Sequence, residues 1–122
     1  MKLLSAIVLS SLIAVSGTAA AAQKTANTKS VQYSCQQGKK VKVTYAFNKQ
    51  GLPTYASAYV NGKVRTMPIN LNHSNSVDTI FGQEDSYMLN SNYLDSKNYR
   101  KSSIMITAPD NQIVYKGCSA RG

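Results

Sequence analysis

The chain has 122 residues, 43% of them hydrophobic, with 14 lysines and arginines against 5 acids and a formal charge of +9. With an N-terminal leader set aside, about one hundred residues remain, enough for one domain with one modest core and no second. A basic surface raises encounter rates with anions such as acidic glycans, phosphates or carboxylates without naming one, so charge alone selects no ligand and specific nucleic-acid recognition is not expected.

Met1 and Lys2 open a short positive region, Leu3 to Val15 is apolar but too short to span a bilayer, and Ala20 to Ala22 offer small residues for a leader peptidase. Residues 1–22 therefore read as a signal peptide. No cysteine follows the apolar stretch to carry a lipid anchor, so the expected product is periplasmic, held at the outer-membrane surface, or secreted. In an oxidising compartment Cys35 and Cys118 have only each other as partners. A bond enclosing nearly the whole mature chain contributes roughly 4 to 5 kcal/mol in the chain-entropy model.

Residues 23–30 are small and polar without apolar periodicity, and read as a flexible arm before a single domain over 31–122. A strand follows in which Val41, Val43, Tyr45 and Phe47 share one face and Lys40, Lys42 and Thr44 the other. Beyond the turn Asn48 to Gly51, Tyr55 to Val60 alternates again. Asn61-Gly62 then predicts a two-residue hairpin, because both central positions of a type I′ turn need positive φ. Lys63 to Ile69 returns from it, with Pro68 restricting that strand to an edge or to its own end. Asn70 to Asn75 is loop. Val77 to Phe81 and Ser86 to Leu89 are short strands, Asn90 to Asn98 is turn-rich, and Tyr99 to Thr107 pairs with Gln112 to Cys118 across Ala108-Pro109-Asp110-Asn111. About eight strands and no helix result, the pattern of a sandwich or small barrel. A disulfide between the first and last strands favours an antiparallel barrel, on the expectation that it brings the ends of the sheet together.

Catalytic groupings are sparse. His73, the one histidine, lies in a loop of Asn, Ser and Leu and reads as solvated; no metal or cofactor site is expected. Glu84 and Asp85 are adjacent, so on a strand they would face opposite sides and could not flank one bond as a glycosidase pair does. Asp78, Asp95 and Asp110 fall where carboxylates usually cap backbone N–H groups. A binding protein rather than an enzyme is expected. Tyr45 and Tyr115 read as core, whereas packing and recognition are both open to Tyr87, Tyr93 and Tyr99.

The segments Cys35 to Tyr45, Phe47 to Leu52, Thr54 to Ala58 and Ile104 to Val114 closely resemble the adhesin complex proteins of Gram-negative cocci. Those proteins in turn resemble the membrane-bound and periplasmic inhibitors of C-type lysozyme, which are small eight-stranded barrels with one disulfide between terminal strands. In the inhibitors a loop bearing Ser-Gly-x-x-Tyr, with a lysine ten residues beyond the tyrosine, inserts into the lysozyme cleft. Tyr87 and Lys97 have that spacing, while Gln83 and Glu84 stand where Ser and Gly would, with Gly82 one position outside the motif and Ser86 just before the tyrosine. The resemblance implies a secreted inhibitor of host C-type lysozyme acting through Lys97, Tyr87, Ser86, Tyr93 and Asp95. Its other implication is a surface adhesin binding host cells or anionic glycans through Lys39, Lys40, Lys42, Lys63 and Arg65.

Overall fold

The computed structural model describes residues 27–121, so the expected signal peptide and the first part of the expected arm lie outside the described residues. Eight strands follow one another: β1 (Asn27–Ser34), β2 (Lys40–Phe47), β3 (Pro53–Val60), β4 (Lys63–Pro68), β5 (Asp78–Phe81), β6 (Met88–Asn92), β7 (Ser103–Thr107) and β8 (Ile113–Ala120). All pair antiparallel in the order β4-β3-β2-β1-β8-β7-β6-β5. The sheet is thus two four-stranded meanders joined at β1 and β8 and rolled into a nearly closed barrel.

The period-two faces are as expected. Val41, Val43, Tyr45 and Phe47 of β2 are buried, and so are Ala56, Ala58 and Val60 of β3. Small residues on β3 leave room inside for Tyr33, Tyr45 and Phe81, and tilted rings pack Tyr45 on Phe81 at 5.8 Å and Phe47 on Tyr99 at 5.7 Å. At the β3–β4 turn Asn61 and Gly62 both have positive φ, 49° and 91°, as the type I′ turn demands.

Four expectations need correction. Residues 27–30, expected in the arm, belong to β1 and pair with β2 from Asn27 opposite Phe47 onward. Their side chains are all exposed, so no apolar alternation marks them in the sequence. Tyr99–Lys101 is a 3-10 turn rather than the start of a strand. β6 begins at Met88, leaving Ser86 and Tyr87 in the preceding loop. Tyr115 is only half-buried.

The cysteines also act differently from the expectation. Cys35 and Cys118 are bonded with Cα atoms 3.9 Å apart, but they tie the chain ends in the middle of the sheet, where β1 and β8 share only Tyr33↔Ala120 and Ser34↔Ser119. The sheet edges are β4 and β5. They meet at the bridge Ile69↔Phe81, flanked by Asn70 N–H to the Ile80 carbonyl (2.8 Å) and Gly82 N–H to the Pro68 carbonyl (2.7 Å). Gly82 has φ +93°, and a Cβ there would fall 2.1 Å from the Tyr87 carbonyl oxygen, so this junction requires glycine.

Inside the barrel a chain of hydroxyls links the two meanders. Ser102 Oγ donates to the Tyr99 carbonyl at 2.7 Å, so its remaining capacity is as acceptor from Tyr33; Tyr33 in turn accepts from Tyr45 at 2.6 Å. Only the direction Tyr45 to Tyr33 to Ser102 to Tyr99 satisfies every proton. Ser102→Ala leaves one buried O–H without an acceptor and should cost roughly 1–3 kcal/mol, whereas Tyr45→Phe removes only the first donor and should cost less. Urea midpoints of the two variants check this order. Burial pushes the Tyr45 hydroxyl well above its ordinary value of 10.0, helped by Tyr33, and burial also raises Tyr33, opposed by its bonds to Ser102 and Tyr45. Above pH 10 the unfolded chain loses these protons while the native chain keeps them, so stability is full below that pH and falls beyond it. Melting temperatures taken into the alkaline range should show the fall in the native protein and a shallower one in Tyr45→Phe.

Candidate binding surface

The connection from β6 to β7 carries Tyr93, Asp95 and Lys97 and is built from side-chain-to-backbone bonds. Asp95 Oδ1 accepts the N–H groups of Lys97 (2.8 Å) and Asn98 (3.0 Å), and Asn98 Oδ1 accepts the N–H of Asp95 (2.8 Å). Asn98 Nδ2 donates to the Tyr93 carbonyl at 2.9 Å. This is a reciprocal cap of the kind that pins the start of a helical turn, here the turn that opens at Asp95 and leads into Tyr99–Lys101. The loop is also tied sideways, since Ser96 N–H donates to the Gly51 carbonyl in the β2–β3 turn at 2.9 Å. Gly51 has φ +82°, and a Cβ there would lie 2.5 Å from Ser96 Oγ.

Asp95 is therefore occupied within the loop, as its turn position suggested. The Lys97 side chain is exposed and has no hydrogen-bond or ion-pair partner among the described residues, where the one contact of a carboxylate with a basic side chain is that of Glu84 with the His73 ring at 3.4 Å. Tyr93 and Leu94, at the start of the same connection, line an apolar groove of about 210 Å³ together with Leu52, Pro53, Ile69 and Leu71, among others. Leu71 is 78% exposed and Val77, whose carbonyl accepts the Tyr93 N–H, is 67% exposed. The sequence reading missed Leu52, Leu71 and Val77 as surface residues. Their signal was a pair of apolar side chains, Leu71 and Val77, bracketing a polar loop with no alternation to bury them.

Tyr87 and Ser86 lie elsewhere. They precede β6 and Lys97 follows it, so the five residues Met88–Asn92 separate them, about 17 Å of extended chain. The spacing of ten that links Tyr87 to Lys97 in sequence puts them at opposite ends of one strand. Tyr87 packs under the Arg65 guanidinium at 4.3 Å from its ring centroid and accepts from Asn61 Nδ2 at 3.0 Å. Of the basic residues considered for anion binding, Arg65 is further held by the carbonyls of Val60 and Asn61, and Lys39 donates to the Val114 carbonyl. Lys40 and Lys42 remain exposed side by side on the outer face of β2.

A small antiparallel barrel, tied where its chain ends meet and ending in rigid polar loops, is the class of domain this geometry defines. The chain belongs to the family described as the ACP-like domain, whose model matches residues 29–120. The solved Adhesin Complex Protein from Neisseria meningitidis is 61% identical with a TM-score of 0.73, over 76% of this chain and 99% of that one. The periplasmic lysozyme inhibitor of C-type lysozyme from Salmonella typhimurium is 16% identical with a TM-score of 0.56, over 79% of this chain and 100% of its own, a likeness of fold alone. No curated protein sequence matches the chain.

Because Asp95 holds two amides of the Lys97 loop, Asp95→Ala should cost about 1 kcal/mol, in line with loss of a capping side chain. Hydrogen exchange at the amides of Lys97 and Asn98 should speed up while that of β6 stays unchanged. Equal protection in both proteins would show that the loop holds without the carboxylate.

Proposed function

We propose that the protein is an exported inhibitor of C-type lysozyme that presents Lys97 to the enzyme's substrate cleft. The observation that carries this reading is an unpaired ammonium held on a doubly tied loop beside an exposed apolar groove. A glycosidase cleft is built around two carboxylates, and an ammonium placed between them gains charge-assisted hydrogen bonds in a partly desolvated site. The preformed loop loses little conformational freedom on docking, so more of that gain appears as affinity. Leu71 and Tyr93 add exposed apolar surface in the groove beside the loop, contact area that helps exclude water from a docked partner. The shared barrel of the Salmonella inhibitor supports the reading at the level of architecture.

In this reading Tyr93 and Lys97 touch the enzyme and Asp95 positions them. Tyr87 and Ser86 form a second contact only with a partner that extends along β6. C-type lysozymes are themselves basic, so long-range steering is weak and recognition rests on the local pairing of Lys97 with acid.

A second reading is favoured by the relationship to the Neisseria adhesin complex protein and by the exposed pair Lys40 and Lys42, which suit an anionic host surface. The two separate by salt and by variant. Lysis of a cell-wall suspension by human lysozyme should slow when the purified protein is added in micromolar excess, and Lys97→Ala should weaken inhibition by about tenfold or more, the loss of one charged hydrogen bond. Lys42→Ala should leave inhibition unchanged and reduce binding to host cells, which should also drop steeply with added salt. Undiminished lysis in the presence of the native protein overturns the first reading.

A further inference from the structure

The seam between β4 and β5 is joined by main-chain hydrogen bonds at only one end; at the other it is crossed by side chains alone, Tyr87 with Arg65 and Asn61. Across the β3–β4 hairpin the register runs Val60↔Lys63, Tyr59↔Val64, Ala58↔Arg65, Ser57↔Thr66, Ala56↔Met67 and Tyr55↔Pro68. A two-residue hairpin makes its first pair the hydrogen-bonded one, and such pairs then alternate along an antiparallel ladder. The bond from Ile69 N–H to the Thr54 carbonyl at 2.9 Å continues that series. The backbone groups of Val64, Thr66 and Pro68 consequently point away from β3, into the seam. Pro68 confirms the direction, because its carbonyl accepts Gly82 N–H there. The N–H and C=O groups of Val64 and Thr66 have no partner among the described residues, and they face a groove of about 420 Å³ whose other wall is Gly82, Gln83, Ser86 and Tyr87.

We propose that this open edge receives an extended peptide strand from a partner protein, paired antiparallel to β4, with apolar side chains alternating with acidic ones. Four unpaired main-chain groups at a two-residue spacing are the recognition pattern of strand addition. The side-chain chemistry follows from the pleat. Residues opposite Val64 and Thr66 share the outer face with Tyr59, and Tyr59 and Val64 form a cross-strand pair left 63% and 64% exposed, so apolar residues belong there. The intervening residues fall beside Lys63 and Arg65. Lys63 is exposed without an ion-pair partner among the described residues, which calls for a carboxylate. Tyr87, held by Arg65 and Asn61, closes the groove's outer end and limits the strand to the stretch between Lys63 and Pro68.

The probe is the blocked peptide Val-Glu-Val-Glu-Val-Glu-Val carrying a fluorophore, titrated with the full chain and followed by anisotropy. In antiparallel pairing the valine amides face β4 and the glutamate amides face away. N-methylation of the valines should weaken binding by about tenfold or more, the effect of lost main-chain hydrogen bonds, while N-methylation of the glutamates should leave it nearly unchanged. Thr66→Pro removes a seam-facing N–H without touching the ladder to β3, and should also weaken binding, with the melting temperature reporting that the fold persists. Lys97→Ala should have no effect, which keeps this site distinct from the lysozyme-directed one. The proposal is overturned by absence of binding at millimolar protein, by equal binding of both methylated peptides, or by a Thr66→Pro-sensitive dimer on a sizing column, which would assign the edge to a second copy.

Discussion

The joint between β1 and β8 is what the rest of the barrel depends on. Each meander is a run of local hairpins that forms its own ladder, but the two share only two residue pairs in register at that joint. Further links cross the same line, among them the Cys35–Cys118 bond, Arg121 N–H on the Gln32 carbonyl, and the hydroxyl chain from Tyr45 through Tyr33 to Ser102. Their natures differ. The disulfide limits the unfolded chain, whereas the hydroxyls fix one packing of the folded interior, since a buried proton without an acceptor is costly. Without the joint, β4 and β5 would have no reason to face each other, and the bond from Gly82 N–H to the Pro68 carbonyl could not form.

Local features were legible from the residues. Asn61-Gly62 can hardly be anything but a tight turn, and Val41, Val43, Tyr45 and Phe47 declare a strand by alternation alone. Residues 27–30 were opaque because both their faces meet solvent, so only the edge offered by β2 orders them. Sheet order was opaque for another reason. It is set by non-local pairing, and two cysteines near the chain ends are compatible with a joint anywhere in the sheet, including its centre. The candidate surface divided in the same way. Asp95 could be read as a capping carboxylate because that bond spans a few residues, while the separation of Tyr87 from Lys97 depends on where β6 starts. One strand between two motif residues turns a linear spacing into a distance.

The same economy of charge runs through both proposed surfaces. Most of the lysines and arginines are exposed, and the described carboxylates do not neutralise them. Those with structural work are engaged by main-chain carbonyls or aromatic faces, as Arg65 is by Val60, Asn61 and Tyr87. The remainder keep their charge available to a partner. A basic protein of this kind meets many anions weakly, so specificity has to come from rigid backbone: the tied Lys97 loop at one end, the unpaired β4 edge at the other.

The contact of Ser96 with Gly51 has an evolutionary corollary. Exposed turns ordinarily vary freely in length and sequence. Here the β2–β3 turn acts as a buttress for the Lys97 loop, so an insertion near Gly51 would displace a tip with which it shares no sequence. The two segments should diversify together or not at all.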